Sequence, residues 1–299
     1  MKNEIKPYFL SFSAYDIESG DVSLNPGALA QKALDLYNNY ILHKSETLKA
    51  LFLKNTDLLI GRFVHKKGFG VWPYNYIFWR AEMYGCRIPW VSALAQGFGI
   101  SALVRAYALT RNTKYFEVAQ QALNAFKVFI KEGGVLYIDR DDGDWWYEEY
   151  ACGYGEPSGV LNGFIIALLG IYDFYTFAND KQSLQLFDKG IETLKHHMSD
   201  FDTDYPFTLS YYDRMKHITT MEYHLLHIKL LEILHEITKD NVFRKYQKKW
   251  ENYKNYWYAR QSYRWLWKIY YVKSGYNIKE SIKLGVRLTF KEKKFTKHM

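Results

Sequence analysis

Leu161-Asn162-Gly163-Phe164-Ile165-Ile166-Ala167-Leu168-Leu169-Gly170-Ile171-Tyr172 runs on to Ala178-Asn179-Asp180-Lys181 and a second helical stretch, and this passage decides the fold. The first helix is apolar nearly all round, while the second carries a charged face. A helix of the first kind is buried, and one of the second kind covers it. The pairing recurs on either side. Ala95-Gln96-Gly97-Phe98-Gly99-Ile100-Ser101-Ala102-Leu103, continuing to Tyr107, leads to Thr110-Arg111-Asn112-Thr113-Lys114-Tyr115 and another helical stretch. Tyr223-His224-Leu225-Leu226-His227-Ile228 leads to Thr238-Lys239-Asp240-Asn241 and a third. A spacing of roughly 60–67 residues holds one helical hairpin and its connecting loop.

Apolar residues three and four apart predict helices over residues 27–42, 45–64, 90–110, 114–131, 157–178, 182–198, 221–238 and 241–256. Strand signals are few, with Gly134-Val135-Leu136-Tyr137-Ile138 and residues 58–73 suited to short β-hairpins. The expected fold class is all-α, with helical hairpins forming an incomplete α/α toroid. The expected domain is 1–255, followed by an appendage over 256–299. Residues 159–178 match a bilayer span in length. Asn162, Asp173 and the tyrosines near the end speak against lipid, and the repeat explains the apolarity as that of an inner helix.

The net charge of +8 hides an asymmetry. Residues 243–299 hold 16 Lys and Arg against 3 Asp and Glu, and the preceding 242 residues hold 24 against 29. The body is therefore not a general polyanion binder, and no nucleic-acid partner is expected. The appendage, with Tyr256-Trp257-Tyr258 and Trp265-Leu266-Trp267-Lys268-Ile269-Tyr270-Tyr271 among its basic residues, suits either packing on the body or docking to an anionic membrane or acidic polymer. Two cysteines, Cys86 and Cys152, argue against a disulfide framework and leave room for one bridge. The start leads into no apolar secretory core. The expected location is cytoplasmic, with at most peripheral membrane contact through 256–299, and a homodimer remains open.

Each inner helix begins with polar groups, namely Gln96, Asn162 and the pair His224 and His227. In a toroid these starts converge on one rim, with N–H groups and positive dipole ends toward the cavity. One polar group at one helix start is more often a cap; recurrence in three units favours a shared site. Just before the second inner helix stands Trp145-Trp146-Tyr147-Glu148-Glu149-Tyr150. Such an aromatic, acid-rich loop, with Trp146 as a stacking ring, suits proton transfer on a sugar. His224 and His227 lie three apart on one helical face, but no third ligand follows at a telling spacing, so no metal is expected.

Three ordered blocks across residues 85–252 resemble the C-terminal domain of the glucuronyl C5-epimerases. They are Pro89-Trp90-Val91-Ser92-Ala93-Leu94-Ala95-Gln96-Gly97 with its continuation, the Glu148-Glu149-Tyr150 loop with Val160-Leu161-Asn162-Gly163-Phe164, and Tyr212-Asp213 with Tyr223-His224. Where the family usually has proline after Glu-Glu-Tyr, this chain has Ala151. The resemblance implies a uronyl C5-epimerase that needs no cofactor and converts D-glucuronate to L-iduronate within an acidic polysaccharide of the heparosan type. It further implies catalytic roles for Glu149, Tyr150, Tyr212 and Tyr223. An unperturbed phenol, with a pKa of about 10, donates protons well and accepts them poorly. The expectation is therefore Glu149 on one face of the sugar and Tyr223 on the other, with Tyr150 and Tyr212 assisting. The substrate carboxylate calls for cations, for which Arg214 and Lys216 are nearest, with His224 and Asn162 as further donors. A polysaccharide lyase shares the same first step, and a non-catalytic glycan-binding module is the reading from another class.

Overall fold

A computed structural model describes residues 25–152, 157–204 and 209–255. The appendage and its proposed docking role, at 256–299, lie outside the described residues. The chain divides into two compact units, one running to Ser199 and including Asp213–Lys216, the other comprising Asp200–Tyr212 and the residues from His217 onward.

The first unit is a series of helical hairpins. Helices α1 (Pro26–His43) and α2 (Glu46–Gly61) form one; strands β1 (Val64–His65) and β2 (Gly70–Val71) and the short helix α3 (Trp79–Met83) follow. Helices α4 (Ala93–Thr110) and α5 (Thr113–Asn124) form the next hairpin, and strands β3 (Leu136–Ile138) and β4 (Trp145–Tyr147) lead to α6 (Leu161–Ala178) and α7 (Lys181–His197). In the second unit α8 (Met221–Thr238) pairs with α9 (Asn241–Asn255). β1 pairs with β2 and β3 with β4, both antiparallel.

One two-residue device joins the helices of all four hairpins. Lys44, Arg111, Asn179 and Lys239 adopt left-handed backbone with φ between 51° and 60°. Their N–H groups donate to the carbonyls of Tyr40, Tyr107, Tyr175 and His235, closing the first helix of each pair. The next residue caps the second helix: Ser45 accepts from Leu48 N–H, Asn112 from Lys114, Asp180 from Ser183 and Asp240 from Val242.

The interior is the contact of α4 with α6. Residues 93–106 of α4 are all buried, as are 161–171 of α6. Gly97 lets the helices touch, since a Cβ there would lie 2.7 Å from Ala167 Cα, and Gly170 packs on the Gly97 backbone in return. Adding one methyl, Gly170→Ala, is expected to cost about 1–3 kcal/mol in urea unfolding, because backbone cannot yield as a side chain would. Arg105 and Asp173, both fully buried, form an ion pair of 2.6 Å across this contact. Among the described residues α6 is the one helix long and apolar enough to cross a membrane, and 72% of it is buried inside the protein.

Three boundaries differ from the sequence expectation. The helix expected over 114–131 stops at Asn124 and gives way to the 3-10 turns Ala125–Lys127 and Ile130–Glu132. There Gly134 lies against the Val128 backbone, a closeness no side chain permits. The helix expected from residue 90 begins at Ala93, since Trp90 and Val91 pair as extended backbone with Tyr74 and Ala151 and Ser92 caps. Helix α6 begins at Leu161 rather than at 157.

Candidate active site

In the first unit the segment Glu148–Ala151 crosses the starts of α4 and α6. Glu148 C=O accepts from Ala93 N–H at 2.9 Å, and Ala151 N–H donates to Val91 C=O at 3.0 Å. Glu148 turns inward. Its carboxylate accepts from the Ser158 hydroxyl at 2.5 Å, Ser158 N–H at 3.0 Å and Gly159 N–H at 3.2 Å, cinching the approach to α6. Burial pushes the Glu148 carboxyl above its ordinary range, opposed by these bonds and by Arg214. Glu148 is therefore a structural bracket.

Glu149, on the alternate side of the same extended segment, lies against the first turn of α6. Asn162 Nδ2 donates to its Oε2 at 3.5 Å, and a Cβ on Gly163 would come within 2.6 Å of Glu149 Cβ. Glycine there makes the room that the carboxylate occupies. The helix N-terminus adds favourable dipole charge to the ionised form. Asn162 is fully buried, and its Oδ1 has no hydrogen-bond partner among the described residues.

Beside this carboxylate runs a column of rings. Tyr74 stacks on Trp90 at 4.1 Å, Trp90 on Tyr150 at 5.6 Å and Tyr150 on Tyr84 at 4.6 Å. The Tyr84 hydroxyl donates to the buried carboxylate of Asp213. Burial, then Tyr76 and the Glu149 charge, push the Tyr74 phenol well above its ordinary value, against the Gly27 N–H it accepts, so it stays protonated. The bridge Cys86–Cys152, with Cα atoms 4.7 Å apart, fixes the residue two beyond Tyr150.

Arg214 Nη1 donates to Asp139 Oδ2 at 2.8 Å, and its guanidinium lies 4.8 Å above the Trp146 ring. Its stem runs over Gly159. Burial raises the Asp139 carboxyl, but the Arg214 bond and charge and the Asp141 N–H outweigh it, so the net shift is downward. A carboxyl held low stabilises the fold above its ordinary range and loses that contribution as pH falls through the depressed value. Arg214→Gln is therefore expected to move the acid-unfolding midpoint to higher pH, measured by circular dichroism. Asp142, Asp144 and His197 bring one ligand atom each within 4.8 Å. His197 Nε2 sits 3.0 Å from Asp142 Oδ2 and 3.2 Å from Asp144 Oδ2.

In the second unit a narrow hairpin carries Tyr212, whose N–H donates to His217 C=O at 2.6 Å. Tyr212 meets Tyr223 edge-on, with ring centroids 5.2 Å apart and an interplanar angle of 79°. Thr220 caps α8 by accepting from Tyr223 N–H at 3.3 Å.

Of the four expected catalytic residues, Glu149 and Tyr150 belong to the first unit and Tyr212 and Tyr223 to the second, where the two phenols are in contact. Arg214 and Lys216 retain exposed surface, Lys216 the more. Among the expected sugar contacts, Gln96, Trp146, Asn162, His224 and His227 have no exposed surface. The Gln96 amide is used internally, its oxygen accepting from Trp72 N–H and its nitrogen donating to the carbonyls of Gly70 and Ala122. Trp146 lies beneath Arg214 and against Phe164. The sequence reading quoted Asp213 only within its third block and singled out neither Tyr74 nor Tyr84. The run from Tyr74 to Trp90 is dense in aromatics yet without helical period.

The family model D-glucuronyl C5-epimerase C-terminus matches residues 66–252, a span that includes Glu149, Tyr150, Tyr212 and Tyr223. An uncharacterized protein of Methanocaldococcus jannaschii is 35% identical over 184 residues, covering 61% of this chain and 57% of that protein. The D-glucuronyl C5-epimerase of Caenorhabditis elegans is 33% identical over 184 residues, covering 55% of this chain and 29% of that protein. The chain thus spans little more than half of one relative and under a third of the other. A GH76 α-mannanase of Bacteroides thetaiotaomicron superposes with a TM-score of 0.50 at 10% identity, covering 76% of this chain and 55% of that one, a likeness of fold alone. The fold is of the α/α-toroid class, and the chain belongs to the D-glucuronyl C5-epimerase C-terminus family.

Proposed function

We propose that this protein is a uronyl C5-epimerase acting on polymer-linked D-glucuronate and forming L-iduronate in an acidic polysaccharide. The observation that carries the reading is the Glu149 carboxylate, held at the start of α6 by Asn162 and given room by Gly163, inside the block shared with the family. Glu149 takes the C5 proton, and the C–H electron pair passes into the adjacent carboxylate as an enolate. Tyr223, edge-on to Tyr212, returns a proton to the opposite face. Exchange with water then resets both groups. The enolate carries more negative charge than the substrate, so a cation at its carboxylate lowers the barrier more than it tightens ground-state binding. Arg214, a half-exposed guanidinium over Trp146, suits that task.

The test is to incubate the full chain with glucuronate-containing polymers and follow products by NMR and ultraviolet absorbance. Iduronate signals from uncut polymer support the epimerase. An absorbing unsaturated uronate with falling chain length identifies a lyase, and binding without either product identifies a glycan-binding module. Arg214→Ala is expected to lower kcat/KM about tenfold or more and to flatten its salt dependence, since an exposed charge contributes through screened attraction. An unchanged salt slope would remove Arg214 from the site.

A further inference from the structure

We propose that Ser210, His224 and His227 form a positioning device that sets Tyr212 against Tyr223. The inference rests on reading those phenols as proton-transfer groups. Every polar atom of the buried Ser210 is engaged. Its N–H donates to His224 Nδ1 at 3.0 Å, and its Oγ lies 2.9 Å from that nitrogen and 3.0 Å from His227 Nδ1. Its carbonyl accepts from Thr219 N–H at 3.0 Å and from the Thr219 hydroxyl at 2.9 Å.

These partners fix the His224 imidazole. His224 Nδ1 receives a backbone N–H, so it carries no proton; its Nε2 lies 3.1 Å from the Trp250 carbonyl, which only accepts, so that nitrogen carries the hydrogen. The Ser210 hydroxyl bridges His224 Nδ1 and His227 Nδ1, a contact in which the oxygen can donate or accept. His227 Nε2 is buried with no hydrogen-bond partner among the described residues. His224 is thereby held neutral in one tautomer.

The placement gives this lock a task. Tyr212 is two residues beyond Ser210, and Tyr223 directly precedes His224. The bracket thus clamps the hairpin bearing one phenol onto the first turn of the helix bearing the other. A proton added at His224 Nδ1 would face the Ser210 N–H, which can only donate, and open the clamp. Among the titratable groups around the pair, Tyr253 stacks on His224 at 6.4 Å and donates to Asp202, which pairs with Lys249. Tyr212 and Tyr223 themselves lie at the hairpin side.

The test uses the full chain with histidine labelled by nitrogen-15, together with Ser210→Ala and Ser210→Cys. In the wild type, His224 should remain the Nε2–H tautomer from pH 8 to 5, without a transition near the ordinary value of about 6.5. Ser210→Ala should shift the Tyr212 and Tyr223 ring signals, lower kcat for C5 exchange about tenfold at unchanged KM, and move the acid limb of the pH profile upward. Ser210→Cys, which keeps a weak donor in place, should return part of the loss. A wild-type His224 that titrates near 6.5 or carries its proton on Nδ1 overturns the proposal, whether or not the alanine variant folds. So do unchanged tyrosine signals and an unchanged pH profile in a folded variant. If the wild type exchanges no C5 hydrogen, the epimerase reading fails, while the tautomer and ring signals still decide the clamp.

Discussion

Glu149→Gln is expected to lower C5 exchange by about 10²–10⁴-fold, the range of a positioned general base, with the thermal transition left in place. The side chains are nearly equal in volume, and the carbonyl oxygen of glutamine can accept from Asn162 Nδ2 as Oε2 of Glu149 does. What disappears is the negative charge and the proton affinity. The neighbouring Glu148 supplies an internal contrast. Glu148→Gln leaves the reacting carboxylate present but weakens the bracket on Ser158 and Gly159, so its main effect should fall on stability. Kinetics and melting of the two variants, measured side by side, check the assignment. A dead Glu148→Gln beside an active Glu149→Gln would exchange their roles.

Arg105→Met is expected to cost about 3–5 kcal/mol of unfolding free energy, since it strands the Asp173 charge between α4 and α6. Arg105 Nη1 also donates to the Ser101 carbonyl at 2.9 Å, and its guanidinium lies 5.6 Å from the Tyr37 ring, so packing is lost with the charge. The double variant Arg105→Met, Asp173→Leu should recover much of the loss, because no unpaired charge remains inside. Urea unfolding of the two single variants and the double variant gives the coupling directly. Additive losses would mean that the pair contributes only through its two separate environments.

The hairpin architecture was legible because both of its causes are local. Apolar residues at helical spacing mark α4, α6 and α8 as inner helices. The connections quoted from the sequence contain Arg111-Asn112, Asn179-Asp180 and Lys239-Asp240, and the structure adds Lys44-Ser45 as the same two-residue turn. Glu149, Tyr212 and Tyr223 could be named from their blocks, but burial could not. Polar groups at helix starts read equally well as sugar contacts or internal brackets, and the partners that decide between them are distant in sequence. Gln96 finds Gly70 and Ala122, and His224 finds Trp250. The Tyr74–Trp90–Tyr150–Tyr84 column was hidden for the same reason, because ring stacking between separate loops leaves no period to read.

The central claim is that the chain moves a proton at C5 of a uronate, with Glu149 and Tyr223 as the groups that carry it. Its most direct test is NMR of a glucuronate polymer incubated with the full chain in deuterium oxide, alongside Glu149→Gln and Tyr223→Phe. The wild type should place deuterium at C5 without shortening the polymer, and neither variant should do so at a comparable rate. Absence of C5 label with the folded wild type on every uronate polymer tried, or wild-type labelling by both variants, would contradict the account.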